Sequence, residues 1–183
     1  MQRVDALSYR LAGGVGALAD RFDALGRRAA IVGPHGSGKT SLLAALVPAL
    51  ATRGLEAREL RLHRGDRRLG PVGERWLAGA APGVVLVLDG SDALGLASWV
   101  RVLARSRAAG GLLVATHRRG LLPVLHRCRP GPALLGELMA ELDSGCRCAL
   151  PSPAVLFARH GGNLRLALRE LYDLHAAMDR SGS

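Results

Sequence analysis

The residues best equipped for chemistry lie together between positions 33 and 40. Gly33-Pro34-His35-Gly36-Ser37-Gly38-Lys39-Thr40 matches G-x-x-x-x-G-K-[ST] at every fixed position. Glycines allow a backbone to wrap closely enough that successive N–H groups point at one anion. A helix that starts inside such a loop turns its positive end toward the same oxygens. Lys39 would then act as a mobile ammonium on the β- and γ-phosphates, and Thr40 would offer its hydroxyl to Mg²⁺. The sequence holds 24 arginines and this single lysine, so a lysine here calls for a reason.

The loop is flanked as that chemistry demands. Ala29-Ala30-Ile31-Val32 reads as a buried strand before it. After it, from Ser41, Leu42, Leu43, Leu46, Val47 and Leu50 make one apolar helical stripe, with Pro48 as a candidate kink and Gly54 as a stop. The predicted nucleotide-binding residues run from Gly33 through Thr40 to Ser41. A second half of the site is expected at the end of another buried strand. Val84-Val85-Leu86-Val87-Leu88 runs straight into Asp89, a Walker B pattern whose carboxylate holds Mg²⁺, usually through water. Gly90 follows where many ATPases carry a water-activating Glu. Asp92 is the nearest substitute. Two roles stay open for it: polarising the attacking water, directly or through Ser91, or capping a helix that starts near Ala93.

The remaining elements alternate. Val4, Leu7, Leu11, Val15, Leu18 and Phe22 have helical spacing, with Gly13, Gly14 and Gly16 expected to split the segment in two. A strand is predicted over 57–63, a helix over 74–80 and another over 96–107. Leu112-Leu113-Val114-Ala115-Thr116 is a fourth strand, and 124–128 a fifth. The fold class is therefore α/β: a three-layer arrangement around a mostly parallel five-stranded sheet. After Pro130-Gly131-Pro132 the chain reads as helices only, over 133–142 and 153–178. His160-Gly161-Gly162 divides the latter stretch, and Asn163 is placed to cap its last helix. The predicted organisation is a core over 1–130 and a small helical lid over 131–183.

Taken together, the pattern resembles the AAA+ and STAND branch of P-loop ATPases, across most of residues 26–175. Asp89-Gly90-Ser91-Asp92 looks like the D-G-x-D acidic motif of STAND and NACHT-type ATPases. Thr116 matches the sensor 1 position, with His117 as a substitute. Gly162-Asn163-Leu164-Arg165 looks like the G-[ND]-x-R sensor 2 motif of clamp loaders, origin-binding proteins and transposition helpers. The resemblance implies that Arg165 reaches the nucleotide from the lid. It implies ATP and Mg²⁺ as cofactors and hydrolysis as the activity. Two rivals remain: a nucleotide-dependent switch with negligible turnover, and a small-molecule or nucleotide kinase. The N-K-x-D guanine motif of Ras-type GTPases would need a second lysine, and no ABC signature is present. No arginine finger stands out among Arg118, Arg119, Arg127 and Arg129, although an oligomer is compatible with the sequence.

Composition bounds the rest. The 183 residues carry a net charge of +10 and are 49% apolar, a globular balance. Aromatic residues, at 3%, are too few for rows of rings that stack single-stranded bases. No acid occurs between Asp92 and Glu137, an interval that holds Arg101, Arg105, Arg107, Arg118, Arg119, Arg127 and Arg129. Segment 101–129 is thus a candidate face for nucleic acid or an acidic protein, through phosphate-backbone contacts at most. Its alternative is an ordinary solvated surface. Cys128, Cys146 and Cys148 lack zinc-site spacing and read as structural thiols. His63, His126 and His175 lack metal-ligand spacing, while His35 lies inside the loop. No apolar run reaches membrane-spanning length and no leader pattern is present, so a cytoplasmic location is expected.

Overall fold

A computed structural model describes residues 13–63, 65–118, 120, 122–142 and 150–181. Cys146, Cys148, Arg119 and the apolar positions Val4, Leu7 and Leu11 lie outside the described residues. Two units emerge. One comprises the chain up to Gly33 together with Lys39–Arg127; the other comprises Pro34–Gly38 with Cys128–Ser183.

The first unit is an α/β layer structure. Its elements are α1 (Gly14–Ala24), β1 (Arg28–Val32), α2 (Lys39–Ala51), β2 (Glu56–Arg61), α3 (Gly70–Ala78), β3 (Val84–Asp89), α4 (Leu96–Arg105), β4 (Gly111–Thr116) and β5 (Val124–Arg127). The strands form one sheet in the order β2-β3-β4-β1-β5. Every pairing is parallel, so the expected mostly parallel sheet is wholly so.

Burial follows position in the sheet. β3 and β4 are covered on both faces, which is why their sequences read as continuous apolar runs rather than alternating ones. β2 is an edge strand and carries Glu56, Arg58, Glu59 and Arg61, charges that discourage pairing with another chain. On one face, Leu60, Leu86, Leu88, Leu112 and Val114 pack with Trp76 and Leu77 of α3 and Val102 of α4. Trp76 is accommodated because its indole N–H donates to the Arg58 carbonyl at 2.8 Å. Helices α1 and α2 lie together and supply Phe22, Leu42, Leu46 and Leu50, all fully buried, on the opposite face.

Several element boundaries differ from the sequence expectation for local reasons. Gly16 lies inside α1 rather than breaking it, since the helix starts at Gly14. α3 begins at Gly70, ahead of the expected Glu74, because Pro71 sits in its first turn, where a missing N–H costs nothing. α4 ends at Arg105 rather than 107. A tight turn over Ser106–Ala108 follows, and the Ser106 hydroxyl donates back to the Leu103 carbonyl at 3.1 Å. Pro48 is tolerated within α2, which continues to Ala51.

The second unit holds α5 (Pro132–Leu142), α6 (Pro153–Arg159) and α7 (Leu164–Ser181), with the short loop Pro34–Gly38. Leu135, Leu156, Ala167 and Leu171 are fully buried among these helices. Ser152 caps α6 by accepting from Val155 N at 3.4 Å. The helix ends in a glycine turn, with Gly161 and Gly162 both left-handed. No helix among the described residues is long and apolar enough to cross a membrane.

Candidate functional site

Strand order decides what meets at the carboxyl edge of the sheet. β4 lies between β1 and β3, so the ends of three strands stand side by side: Val32-Gly33, Thr116-His117 and Asp89. Gly33 N donates to the Thr116 carbonyl at 3.2 Å, which pins the start of the loop to β4. Lys39 opens α2, is 8% exposed, and donates from Nζ to the Gly33 carbonyl at 2.7 Å. Residues 33 and 39 are therefore within hydrogen-bond reach, and the five residues between them form a closed loop. Nζ also lies 3.3 Å from His117 Nδ1, which is itself 3.2 Å from the Gly33 carbonyl.

Thr40 and Asp89 are joined directly. The threonine hydroxyl donates to Asp89 Oδ2 at 2.8 Å, across 49 residues of sequence. Arg61, the register partner of Asp89 on β2, brings its Nε to 3.4 Å from the same oxygen. The hydroxyl and carboxylate are hard oxygen donors of the kind Mg²⁺ prefers, and the residues present fit that ion. No cluster of three or more His, Cys, Asp or Glu suited to a metal occurs among the described residues.

Gly90 occupies a corner that admits no side chain. Its φ is +81°, a left-handed conformation, and a Cβ built there would lie 2.5 Å from the Leu62 carbonyl oxygen. A Glu cannot stand at this corner without displacing the backbone that follows β2. Asp92, the substitute offered by the sequence, faces the end of β4. Its Oδ1 accepts from Thr116 Oγ1 at 2.8 Å and its Oδ2 from His117 N at 2.7 Å. The helix-capping role is thereby excluded: α4 starts at Leu96, its N-cap residue is Gly95, and no side chain caps it. His117 Nε2 is 3.8 Å from Asp92 Oδ2, so the imidazole stands between the Asp92 carboxylate and the Lys39 ammonium. Spacing alone gave no reason to prefer His117 to Thr116; the backbone bond at 117 and the lysine contact are the features that single it out. A cavity of about 190 Å³ adjoins Asp92, lined by Thr116 and Arg118 together with Leu94, Trp99 and Val114.

The loop itself combines two left-handed glycines, Gly36 (φ +67°) and Gly38 (φ +85°). Ser37 is buried, whereas Pro34 and His35 are exposed. Ser41 is half-buried in the first turn of α2. Within the second unit, Asn163 caps α7 as expected, its Oδ1 accepting from Leu166 N at 3.3 Å. Arg165 is exposed in the first turn of that helix.

The basic segment is less uniform than its sequence. Arg101 pairs with Glu74 of α3 at 2.8 Å, so its charge is offset from a neighbouring helix. Arg105, Arg107 and Arg118 are exposed, and so is Arg129 in the second unit. Arg127 buries one guanidinium nitrogen that has no partner among the described residues. His126 is held below the ordinary histidine range, by burial first and then by the neighbouring Arg21 guanidinium. Cys128 is buried.

Comparison with known proteins adds no assignment. No protein-family model matches the chain. No curated protein matches it either.

Proposed function

We propose that the chain is a Mg²⁺-ATP-binding P-loop ATPase of AAA+/STAND type, in which nucleotide acts on the C-terminal helices as a lid. The observation that carries this reading is the Thr40–Asp89 hydrogen bond. It joins the residue that ends the glycine loop to the carboxylate that ends a buried strand, beside a lysine bonded back to the start of the loop. Loop amides from Gly33 to Ser41, with Lys39, would hold the triphosphate. Bound Mg²⁺, reached by Thr40 and Asp89, would offset the charge on the phosphates. Lys39, now on the Gly33 carbonyl, would exchange that partner for a phosphate oxygen, a stronger charge-assisted bond. Asp92 would orient the attacking water, with Thr116 and His117 fixing its carboxylate. Arg165 would sense nucleotide from the lid.

A second reading, a nucleotide-dependent switch with negligible turnover, draws support from the Gly90 corner, which excludes the usual water-activating Glu. Phosphate release measured beside binding calorimetry separates the two. Turnover that Lys39→Ala abolishes supports the ATPase, and ATP binding without turnover supports the switch. ADP formed only with an added acceptor indicates a kinase, whose acceptor would sit in the cavity beside Asp92. A folded protein that binds no nucleotide overturns all three.

A further inference from the structure

The glycine loop groups with the C-terminal helices, and one of their side chains lies directly against it. A Cβ built on Gly36 would lie 1.9 Å from Asn163 Oδ1, 2.6 Å from its Cγ and 3.0 Å from its Nδ2. The whole carboxamide therefore rests where any side chain at position 36 would have to go. Gly36 is held there in the left-handed region, at φ +67°.

Asn163 is itself tightly held. Its N–H donates to the His160 carbonyl at 3.1 Å, its carbonyl accepts from Ala167 N at 3.1 Å, and its Oδ1 accepts from Leu166 N. The preceding turn is closed by Gly162 N donating to the Phe157 carbonyl at 3.0 Å. Glu170 of α7 accepts from Arg159 and lies 2.5 Å from His160 Nε2, which fastens the end of α6 to α7. A glycine loop left to itself samples many conformations, and ordering each residue costs about 1–2 kcal/mol. A rigid carboxamide against Gly36 removes part of that cost before a ligand arrives, which is preorganisation.

We propose that Asn163 is a positioning residue of the phosphate loop: its carboxamide, packed on Gly36, links occupancy of the loop to the packing of the α6–α7 corner. The proposal rests on reading residues 33–41 as a nucleotide cradle. It assigns Asn163 a second task beyond capping α7. Coupling of this kind is reciprocal, so nucleotide must tighten the corner to the extent that the corner tightens nucleotide.

Two substitutions in the full chain separate the tasks. Asn163→Ser keeps a cap of equal quality but is too short to reach Gly36. Its melting temperature without nucleotide stays within about 2 °C of wild type, while its calorimetric affinity for Mg-ATP falls roughly 5- to 20-fold. Asn163→Asp keeps cap and reach but sets a negative charge against the loop. Its affinity falls further, and the difference narrows at high salt. Hydrogen exchange supplies a readout that helix capping alone would not move. Mg-ATP slows amide exchange over residues 163–167 in the wild type and not in Asn163→Ser.

A folded Asn163→Ser protein that binds Mg-ATP like wild type, or in which ATP protects α7 equally, overturns the proposal and leaves the cradle intact. Should that variant not fold, Asn163→Asp decides: undiminished affinity at low salt refutes the link. A folded wild type that binds no ATP removes the cradle, and the proposal with it.

Discussion

Gly90→Glu restores in sequence the acidic residue many P-loop ATPases carry, and its expected effect is opposite to a gain of activity. Gly90 has φ +81°, and a non-glycine residue held there costs about 1–2 kcal/mol. The added Cβ meets the Leu62 carbonyl oxygen at 2.5 Å, and that atom is backbone, unable to rotate away. Relief requires moving Leu62, whose N–H donates to the Asp89 carbonyl at 2.9 Å. Overpacking of this kind costs about 1–3 kcal/mol. The total, about 3 kcal/mol, lowers the melting temperature by roughly 6–12 °C for a chain of this size. The displaced segment is hydrogen-bonded to Asp89, so magnesium-dependent ATP binding weakens as well. Thermal unfolding followed by circular dichroism and a phosphate-release assay read both effects. Gly83→Ala is the control: its φ is not left-handed and nothing lies within 4 Å of a Cβ there, so its melting temperature stays within about 2 °C. A Gly90→Glu protein as stable as wild type, or one that hydrolyses ATP faster, would refute the reasoning.

Thr40→Val removes the hydroxyl bonded to Asp89 with little change of volume. Chelating Mg²⁺ is expected to weaken ATP binding about tenfold in wild type and hardly at all in this variant, as isothermal calorimetry would show. Asp92→Ala leaves the His117 N–H without its carboxylate and Thr116 with Arg118 alone, so any turnover should fall about 10²-fold while ATP affinity changes little. For His126, the folded-state value is depressed, so the unfolded chain binds the proton first on acidification. Its contribution to stability is full above about pH 6.5 and is lost as the pH falls below that, at no more than about 1.4 kcal/mol per pH unit and less given its partial exposure. Melting temperatures at pH 7.5 and 5.5 should differ less in His126→Gln than in wild type. If segment 101–129 meets nucleic acid, Arg105→Ala with Arg107→Ala should flatten the logarithmic salt dependence of binding by nearly two, whereas Arg101→Ala, already paired with Glu74, should change it less. Absence of binding at low salt removes that face from consideration.

The local pieces were legible in the sequence because they depend on neighbours along the chain. A glycine-rich turn between an apolar strand and an apolar helix needs only its own residues, and the runs ending at Asp89 and Thr116 announce strands buried on both faces. Asn163 was readable as a cap for the same reason: the amide it accepts from is three residues away. Strand order was not readable, because parallel pairing is set by how crossovers pack rather than by any local signal. That order places β4 between β1 and β3 and so brings His117 to Lys39 and Asp92 to Thr116. The reason for Gly90 also lay beyond the sequence, since the atom that forbids a side chain there belongs to Leu62, 28 positions earlier. Gly36 and Asn163 stand 127 positions apart, and only a folded chain can bring a carboxamide to rest on a glycine at that distance.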